Sequence, residues 1–433
     1  MKAVLKDKIY ISYSKYIHDL CKEKLTYRIE PANPLHPPEL ICTYAVLGKK
    51  FILLPIARTD LLPDDCEIID KRTEVPVLFP KLNSDIILRD SQQEAVNLIK
   101  ENYLINANPS WGKTFTGLAI ARELGQKTLI VVHTSFLRDQ WVEECKFMLD
   151  IIPGIVGGGK KEFDHNIVIG NVQTLTKLIT SKKNTFGTVI FDECHHVPAA
   201  TFRNIANKMT AKYKLGLSAT IKRKDKKEIL IYDYISTKVY KPKEENMLEP
   251  KILLINSGFK FPTGNTPWAL KVTTLMRDSN YRSLIYTLAK TQAEKGHKVL
   301  VLSNRVDFLK YGANVTDNSE SITGSDDSIS RKDKLKKLRE GKVSIIFGSD
   351  KIFSEGISEK AFSCLIIAFP LNNNVLLEQI VGRVCRPILN ENNINIKKQP
   401  IILDIQLIGY TSKKQQSTRN NFYYENGWEV VTI

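Results

Sequence analysis

A few side chains in this sequence have the types and spacing to handle a phosphate chain. Gly112, Lys113 and Thr114 sit inside Asn106–Ala121, which reads N-A-N-P-S-W-G-K-T-F-T-G-L-A-I-A. An apolar run, Tyr103-Leu104-Ile105, leads into this stretch, and a helix-like pattern leaves it. Backbone N–H groups at such a strand-to-helix turn cradle phosphate oxygens. The lysine reaches the outer phosphates, and the Thr114 hydroxyl can ligate Mg²⁺. The full pattern wants glycine at the first loop position, where this chain has Ala107, and bulky Trp111 stands just before Gly112. Alone, a G-K-T triplet also opens ordinary helices, so the residues downstream decide.

Downstream, Phe191 closes an apolar strand and Asp192-Glu193-Cys194-His195 follows at once. Elsewhere an Asp-Glu pair at a strand end would be a cap or surface feature. After a phosphate loop in the same α/β unit, Asp192 would hold Mg²⁺ through water while Glu193 orients and deprotonates the attacking water. Ser218-Ala219-Thr220 comes directly after Leu215-Gly216-Leu217. Much later, Gln379-Ile380-Val381-Gly382-Arg383-Val384-Cys385-Arg386 places two arginines on one helical face. From a second unit, one of them could reach a γ-phosphate and stabilise its transition state. Without the other motifs, they would be an ordinary surface pair.

These groups need rigid elements to position them. From Leu88 the pattern alternates strands with helices, the signature of parallel α/β sheets. Strands are expected at Thr128–Val132, Asn166–Ile169 and Thr188–Phe191. After a strand-rich connection over about 222–260, they recur at Lys298–Leu302, Val343–Phe347, Cys364–Ala368 and Ile401–Ile405. Asn314–Arg331 is expected as surface loop and helix cap, and the tail from Ser412 as an extra helix and strand. Residues 1–80 differ: Lys8–Tyr13, Leu25–Ile29 and Phe51–Leu54 are strand-like, broken by Asn33-Pro34-Leu35-His36-Pro37-Pro38. Their tyrosines, Tyr10, Tyr13, Tyr16 and Tyr27, are expected in the core or on a sheet face. The division is 1–80 as a small β-rich accessory domain, 81–240 as a first α/β unit, and 241–433 as a second with a C-terminal extension.

At 433 residues the chain exceeds one core. No apolar run reaches the roughly 18–20 residues that span a bilayer, and no signal-peptide pattern opens the chain. Seven cysteines without C-x-x-C spacing argue for reduced thiols in a cytoplasmic setting and against zinc. A net charge of +16 favours a polyanionic partner, nucleic acid first. The densest basic run is Lys222-Arg223-Lys224-Asp225-Lys226-Lys227, a solvated loop or a strand contact.

The order G-K-T, D-E-C-H, S-A-T, Q-x-x-G-R-x-x-R resembles the superfamily 2 helicases over about 88–390. Within that family D-E-C-H, Gln140-Trp141 and Gly356-Ile357-Ser358 look like the DNA-directed branch of UvsW-type branch-migration and XPB-like proteins, rather than the DEAD-box RNA branch. Two tandem RecA-like motor domains after a small N-terminal domain are therefore implied, with ATP bound between the motors. Leu88–Gln92 is similar to the Q motif, implying nucleotide contacts from Arg89 and Gln92, with Gln92 reading adenine. Ser110, Gly112, Lys113, Thr114 and Gly356 would complete the nucleotide site. Lys113, Asp192, Glu193, Gln379, Arg383 and Arg386 would be catalytic, Thr114 and Asp192 would hold the metal, and Ser218 and Thr220 would couple hydrolysis to movement.

His133–Trp141 resembles motif Ia, Asn171–Leu175 motif Ib, Ser303-Asn304-Arg305 motif IV, Ile322-Thr323-Gly324 the short motif after it, and Phe353–Ser358 motif V. Thr134, Thr174, Ser303, Arg305, Thr323 and Ser349 would line a strand's phosphates, which hydroxyls and amides grip without reading sequence. Ser358 stands where the family usually has Asp. The resemblance implies an Mg²⁺-ATP-driven helicase that remodels forks and recombination junctions in the (host) cytoplasm, alongside other replication or recombination proteins. A restriction-type translocase, an ATP-gated annealing protein and an RNA substrate stay open.

Overall fold

The computed structural model describes residues 1–30, 37–108, 111–179, 185–221, 225–243, 247–355, 357, 359–390 and 394–433. Packing divides the chain into two units, Met1–Lys243 and Glu244–Ile433.

Unit 1 opens with a mixed five-stranded sheet in the order Ala45–Leu47, Phe51–Leu54, Ile9–Ser12, Lys2–Leu5, Glu67–Asp70. Alternating apolar residues (Ala3, Leu5, Ile9, Ile11, Ile52, Leu54) bury one face against the helix Lys15–Lys24, which Ser14 caps. A two-stranded ribbon, Thr26–Ile29 with Glu39–Cys42, follows. Tyr13 and Tyr16 are exposed and lie neither in the core nor on a sheet face, their expected places, because Tyr13 lies just past a strand end and Tyr16 on the helix's outer face.

The larger sheet of unit 1 is parallel apart from one edge hairpin. Its order is Lys160–Lys161, Gly154–Gly157, Ile167–Asn171, Thr128–Val132, Thr188–Asp192, Tyr213–Ser218, Tyr103–Asn106, Val239–Tyr240. Helices cover both faces, so the central strands are buried on both sides and read as continuous apolar runs. Gly117 of the helix Lys113–Leu124 sits with a would-be Cβ 3.1 Å from the Leu217 side chain and 3.3 Å from that of Trp141, so a side chain there would press on both neighbours.

Unit 2 is a seven-stranded parallel sheet: Ser319–Ile322, Ile345–Ser349, Val299–Ser303, Cys364–Ile367, Ile401–Ile408, Lys251–Lys260, Val430–Thr432. The strand Ser319–Ile322 lies inside the stretch expected as loop. It is a polar edge strand, S-E-S-I, whose backbone pairing carries it without an apolar pattern. The tail forms the helix Tyr410–Glu425 and the last strand. At its base Arg419 pairs with buried Asp404 at 2.7 Å, and the Tyr423 hydroxyl donates to the same carboxylate at 2.8 Å. No helix among the described residues is long and apolar enough to cross a membrane.

Candidate nucleotide site and nucleic-acid surface

Strand register gathers the first set of residues. Asn106 is paired with Ser218, and Asp192 with Leu217, so the phosphate loop, the Asp-Glu pair and Ser218-Ala219-Thr220 leave neighbouring strands at one sheet edge. Ala107 takes a backbone bond to the Ser218 carbonyl at 3.0 Å. Gly112 has φ +85°, a left-handed turn into the helix Lys113–Leu124, which leaves that helix's first N–H groups facing the loop. A Cβ on Gly112 would meet Gln92 Nε2 at 2.6 Å. Lys113 is buried and its ammonium donates to the Ala107 carbonyl at 2.9 Å, a place it can exchange for phosphate oxygens. Thr114 is half-buried in the helix's first turn.

Gln92 is a strut of this loop. Its carbonyl accepts from Arg89 N at 2.9 Å, and its amide donates to the Trp111 carbonyl at 2.6 Å, which Arg89 also contacts. Trp111 itself is buried, with its indole N–H on Ser91 Oγ at 2.9 Å and its ring 6.1 Å from that of Tyr240. The bulky loop residue is thus an anchor that ties the loop to the helix Asp90–Leu98. Ser110, Gly356 and Ser358 lie outside the described residues.

Asp192 is buried, and one carboxylate oxygen accepts the Trp141 indole N–H at 2.8 Å. Desolvation first, then the Glu193 charge, push its carboxyl up to about 6; the Trp141 bond and the charges of Lys113 and His133 act the other way. Glu193 stands at φ +48°, left-handed for a residue with a side chain, a strain of about 1 kcal/mol of the kind found where a side chain is aimed for chemistry. His195 Nδ1 lies 3.2 Å from Glu193 Oε2 and 3.0 Å from Ser218 Oγ, and Ser218 Oγ donates to the Thr220 carbonyl at 2.6 Å. A continuous contact path therefore links the Asp-Glu pair to both residues assigned to coupling.

A buried carboxylate that feels the Lys113 charge suits a dication that arrives with phosphate. No cluster of three or more protein ligands exists among the described residues. Trp141, within the stretch that resembles motif Ia, holds Asp192 in place, a role that the motif pattern does not spell out. Arg138 likewise bridges motifs Ia and Ib, with a bond to Asn171 Oδ1 at 3.2 Å.

Thr134 caps the helix Ser135–Leu149, accepting from Leu137 N at 3.2 Å, and Thr174 is half-buried in the short helix Val172–Leu178. In unit 2, Ser303 and Ser349 are register partners at adjacent strand ends. Arg305 is held by its own unit, donating to Thr273 Oγ1 at 2.9 Å and the Ala269 carbonyl at 2.7 Å. Thr323 is buried and builds its turn through Asp326. Gln379 is buried in the helix Asn374–Val384. At that helix's end, Arg383 donates to the carbonyls of Phe353 and Ile357, each at 2.6 Å, bracing motif V. Arg386, half-buried, follows at the helix's end.

Comparisons with known proteins agree with this geometry. Residues 85–223 match the family described as Type III restriction enzyme, res subunit, and residues 279–387 the helicase conserved C-terminal domain. The whole chain aligns at 34% identity with the probable helicase D10 of Escherichia phage T5, covering 96% of that protein. The ATP-dependent DNA helicase uvsW of Enterobacteria phage T4 aligns at 27% identity, over 68% of this chain and 64% of its own. Among solved structures, S. cerevisiae Dbp5 bound to RNA and ADP BeF3 superposes with a TM-score of 0.59 at 11% identity, over 79% of this chain and 89% of that one, a likeness of fold. This chain belongs to the superfamily 2 helicases and is an ATP-hydrolysing enzyme that acts on nucleic acid. Within the family it resembles the UvsW type.

Proposed function

We propose that the chain is a Mg²⁺-dependent DNA translocase that remodels branched duplexes, forks and recombination junctions, in the cytoplasm of an infected host. The observation that carries the motor part is the path from Asp192 and Glu193 through His195 to Ser218 and Thr220. Asp192 would hold Mg²⁺, Glu193 takes the proton of the attacking water, and His195 passes the change at Glu193 to the strand end that follows. Lys113 leaves the Ala107 carbonyl for the outer phosphates. Arg383 and Arg386 supply positive charge to the transferring phosphate in the ATP-bound state, with Gln379 beside them.

The net charge of +16 supports a nucleic-acid track, and the name of the T4 relative supports DNA. The uncharged hydroxyls at the motif positions suit a grip on backbone phosphates that ignores sequence.

The test is the ATPase rate without nucleic acid and with single-stranded DNA, duplex, a four-way junction or RNA, at fixed salt because phosphate contacts are salt-sensitive. Junctions or forks should stimulate most, and Lys113→Ala should lower the rate about 100-fold or more. Equal or greater stimulation by RNA would overturn the DNA assignment. Stimulation only by unbranched duplex would favour a restriction-type translocase, to which the family match over residues 85–223 also points.

A further inference from the structure

We propose that unit 2 carries a second nucleic-acid groove, separate from the motif residues, between the helices Ser279–Glu294 and Val306–Val315. It binds one strand's phosphates along Arg277, Arg282 and Lys290 and stacks a base on Tyr311.

The groove is a concavity of about 360 Å³ whose lining is rich in cations and hydroxyls. Its floor helix repeats on one face: Ser279, Ser283 and Thr287 are one turn apart, with Arg282 and Lys290 between and beyond them. From Ser279 to Lys290 the helix rises about 16 Å at about 1.5 Å per residue, room for roughly five phosphates of one strand at about 3.4 Å each. Arg277 and Lys290 are exposed and form no ion pair among the described residues, so their charge is available. Asp317 is the single acid in the lining among the described residues.

The aromatic wall distinguishes this groove from an ordinary solvated helix face. Tyr311 is 48% exposed, and its ring lies 4.8 Å from the Arg282 guanidinium carbon. Arg282 is itself fixed by donating to the Met276 carbonyl at 2.6 Å. A clamped arginine against an open ring is a rigid platform of the kind on which bases stack without regard to sequence. An acidic peptide would use the cations and hydroxyls but has no use for the ring, so the nucleic-acid assignment accounts for more of the lining.

None of the described residues of the phosphate loop, the Asp-Glu pair or motifs IV and V lines the groove. It gives unit 2 a hold on a strand beyond the motif surface, a useful property for an enzyme that meets more than one strand. The inference rests on the chain binding nucleic acid and not on which kind.

The experiment is fluorescence anisotropy of the full chain with labelled single-stranded DNA, forked DNA and RNA across a salt series. Arg277→Ala/Lys290→Ala should weaken binding and make the plot of log affinity against log salt shallower, by about 0.9 per lost contact on duplex and about 0.7 on single strand. ATP hydrolysis without nucleic acid should stay unchanged, and Arg277→Lys/Lys290→Arg should restore the slope. Lys413→Ala/Lys414→Ala, an equal charge loss elsewhere on unit 2, should change it less. Tyr311→Ala should cost about tenfold on single strands, and Tyr311→Phe little.

An unchanged slope, or equal slope changes in both charge pairs, would overturn the groove. So would poly-glutamate binding that the double variant loses while its nucleic-acid slope stays wild-type; that result would assign the groove to acidic peptides. A preference for RNA with the slope still altered would sink the DNA reading and leave the groove standing.

Discussion

Asp192 shows how much of the catalytic centre depends on single atoms. Its carboxyl is pushed up to about 6 by burial and by Glu193. Hydrolysis should therefore fall as pH drops through about 6, because the protonated acid cannot hold a dication. The stability effect has the opposite sign. A carboxyl with a raised value favours the fold below its ordinary value and loses that contribution as pH rises through about 6. Asp192→Asn should thus melt higher than wild type at pH 8 in nucleotide-free protein and no higher at pH 4, while hydrolysis is lost; melting curves at the two values check it. Trp141→Phe removes the N–H that steadies the charged form. It should lower turnover about tenfold, a loss of about 1.4 kcal/mol, and move the acid limb of the pH–rate profile to higher pH. A limb that stays put would show that Trp141 only packs.

At the scale of elements, the buried parallel strands were legible because both faces are covered and their sequences are nearly all apolar. The edge strand Ser319–Ile322 was not, since a polar strand held by backbone pairing leaves no pattern. The spacing of glycine, lysine and arginine places the motif helices, yet part of what fixes them lies outside the motifs. Lys397 is an example. It is buried, and its ammonium donates to the carbonyls of Val384 at 2.6 Å and Arg386 at 2.8 Å, closing the C-terminal end of the helix that bears Arg383. Burial pulls its pKa down to about 8. A cation there offsets the helix dipole and satisfies end carbonyls that would otherwise be orphaned. Lys397→Met keeps the stem and loses both bonds. It should cost about 1–3 kcal/mol of stability and lower nucleic-acid-stimulated hydrolysis about tenfold, while nucleotide binding by unit 1 stays intact. Loss of nucleotide affinity instead would mean that the helix end serves binding rather than turnover.

At the scale of the whole molecule, the N-terminal residues are not a loosely tethered appendage. Asp233, on the helix Ile229–Tyr234 of the first motor sheet, is fully buried. It accepts from the Tyr27 hydroxyl at 2.9 Å, Thr43 Oγ1 at 2.7 Å and Arg58 at 3.2 Å, all from the first eighty residues. Ile29 and Ile41 join the same apolar core as Phe186, Phe202, Leu230 and Ile231. No local motif could announce this, because the donors stand far from Asp233 in sequence and each is ordinary where it occurs. Cutting off residues 1–80 would strip a buried carboxylate of its partners and open that core, so a truncation confounds accessory function with collapse of the motor. The cleaner probe is Arg58→Met, which removes the one cation that the network holds among the described residues and keeps most of the stem. A buried acid deprived of its cation typically costs about 3–5 kcal/mol. Hydrogen exchange should then rise in residues 1–70 and around 229–234 while the strands of the phosphate loop stay protected, and hydrolysis without nucleic acid should stay within about twofold. Uniform loss of protection across unit 1 would instead mean that the two sheets fold as one cooperative block, with no independent motion available to the N-terminal part.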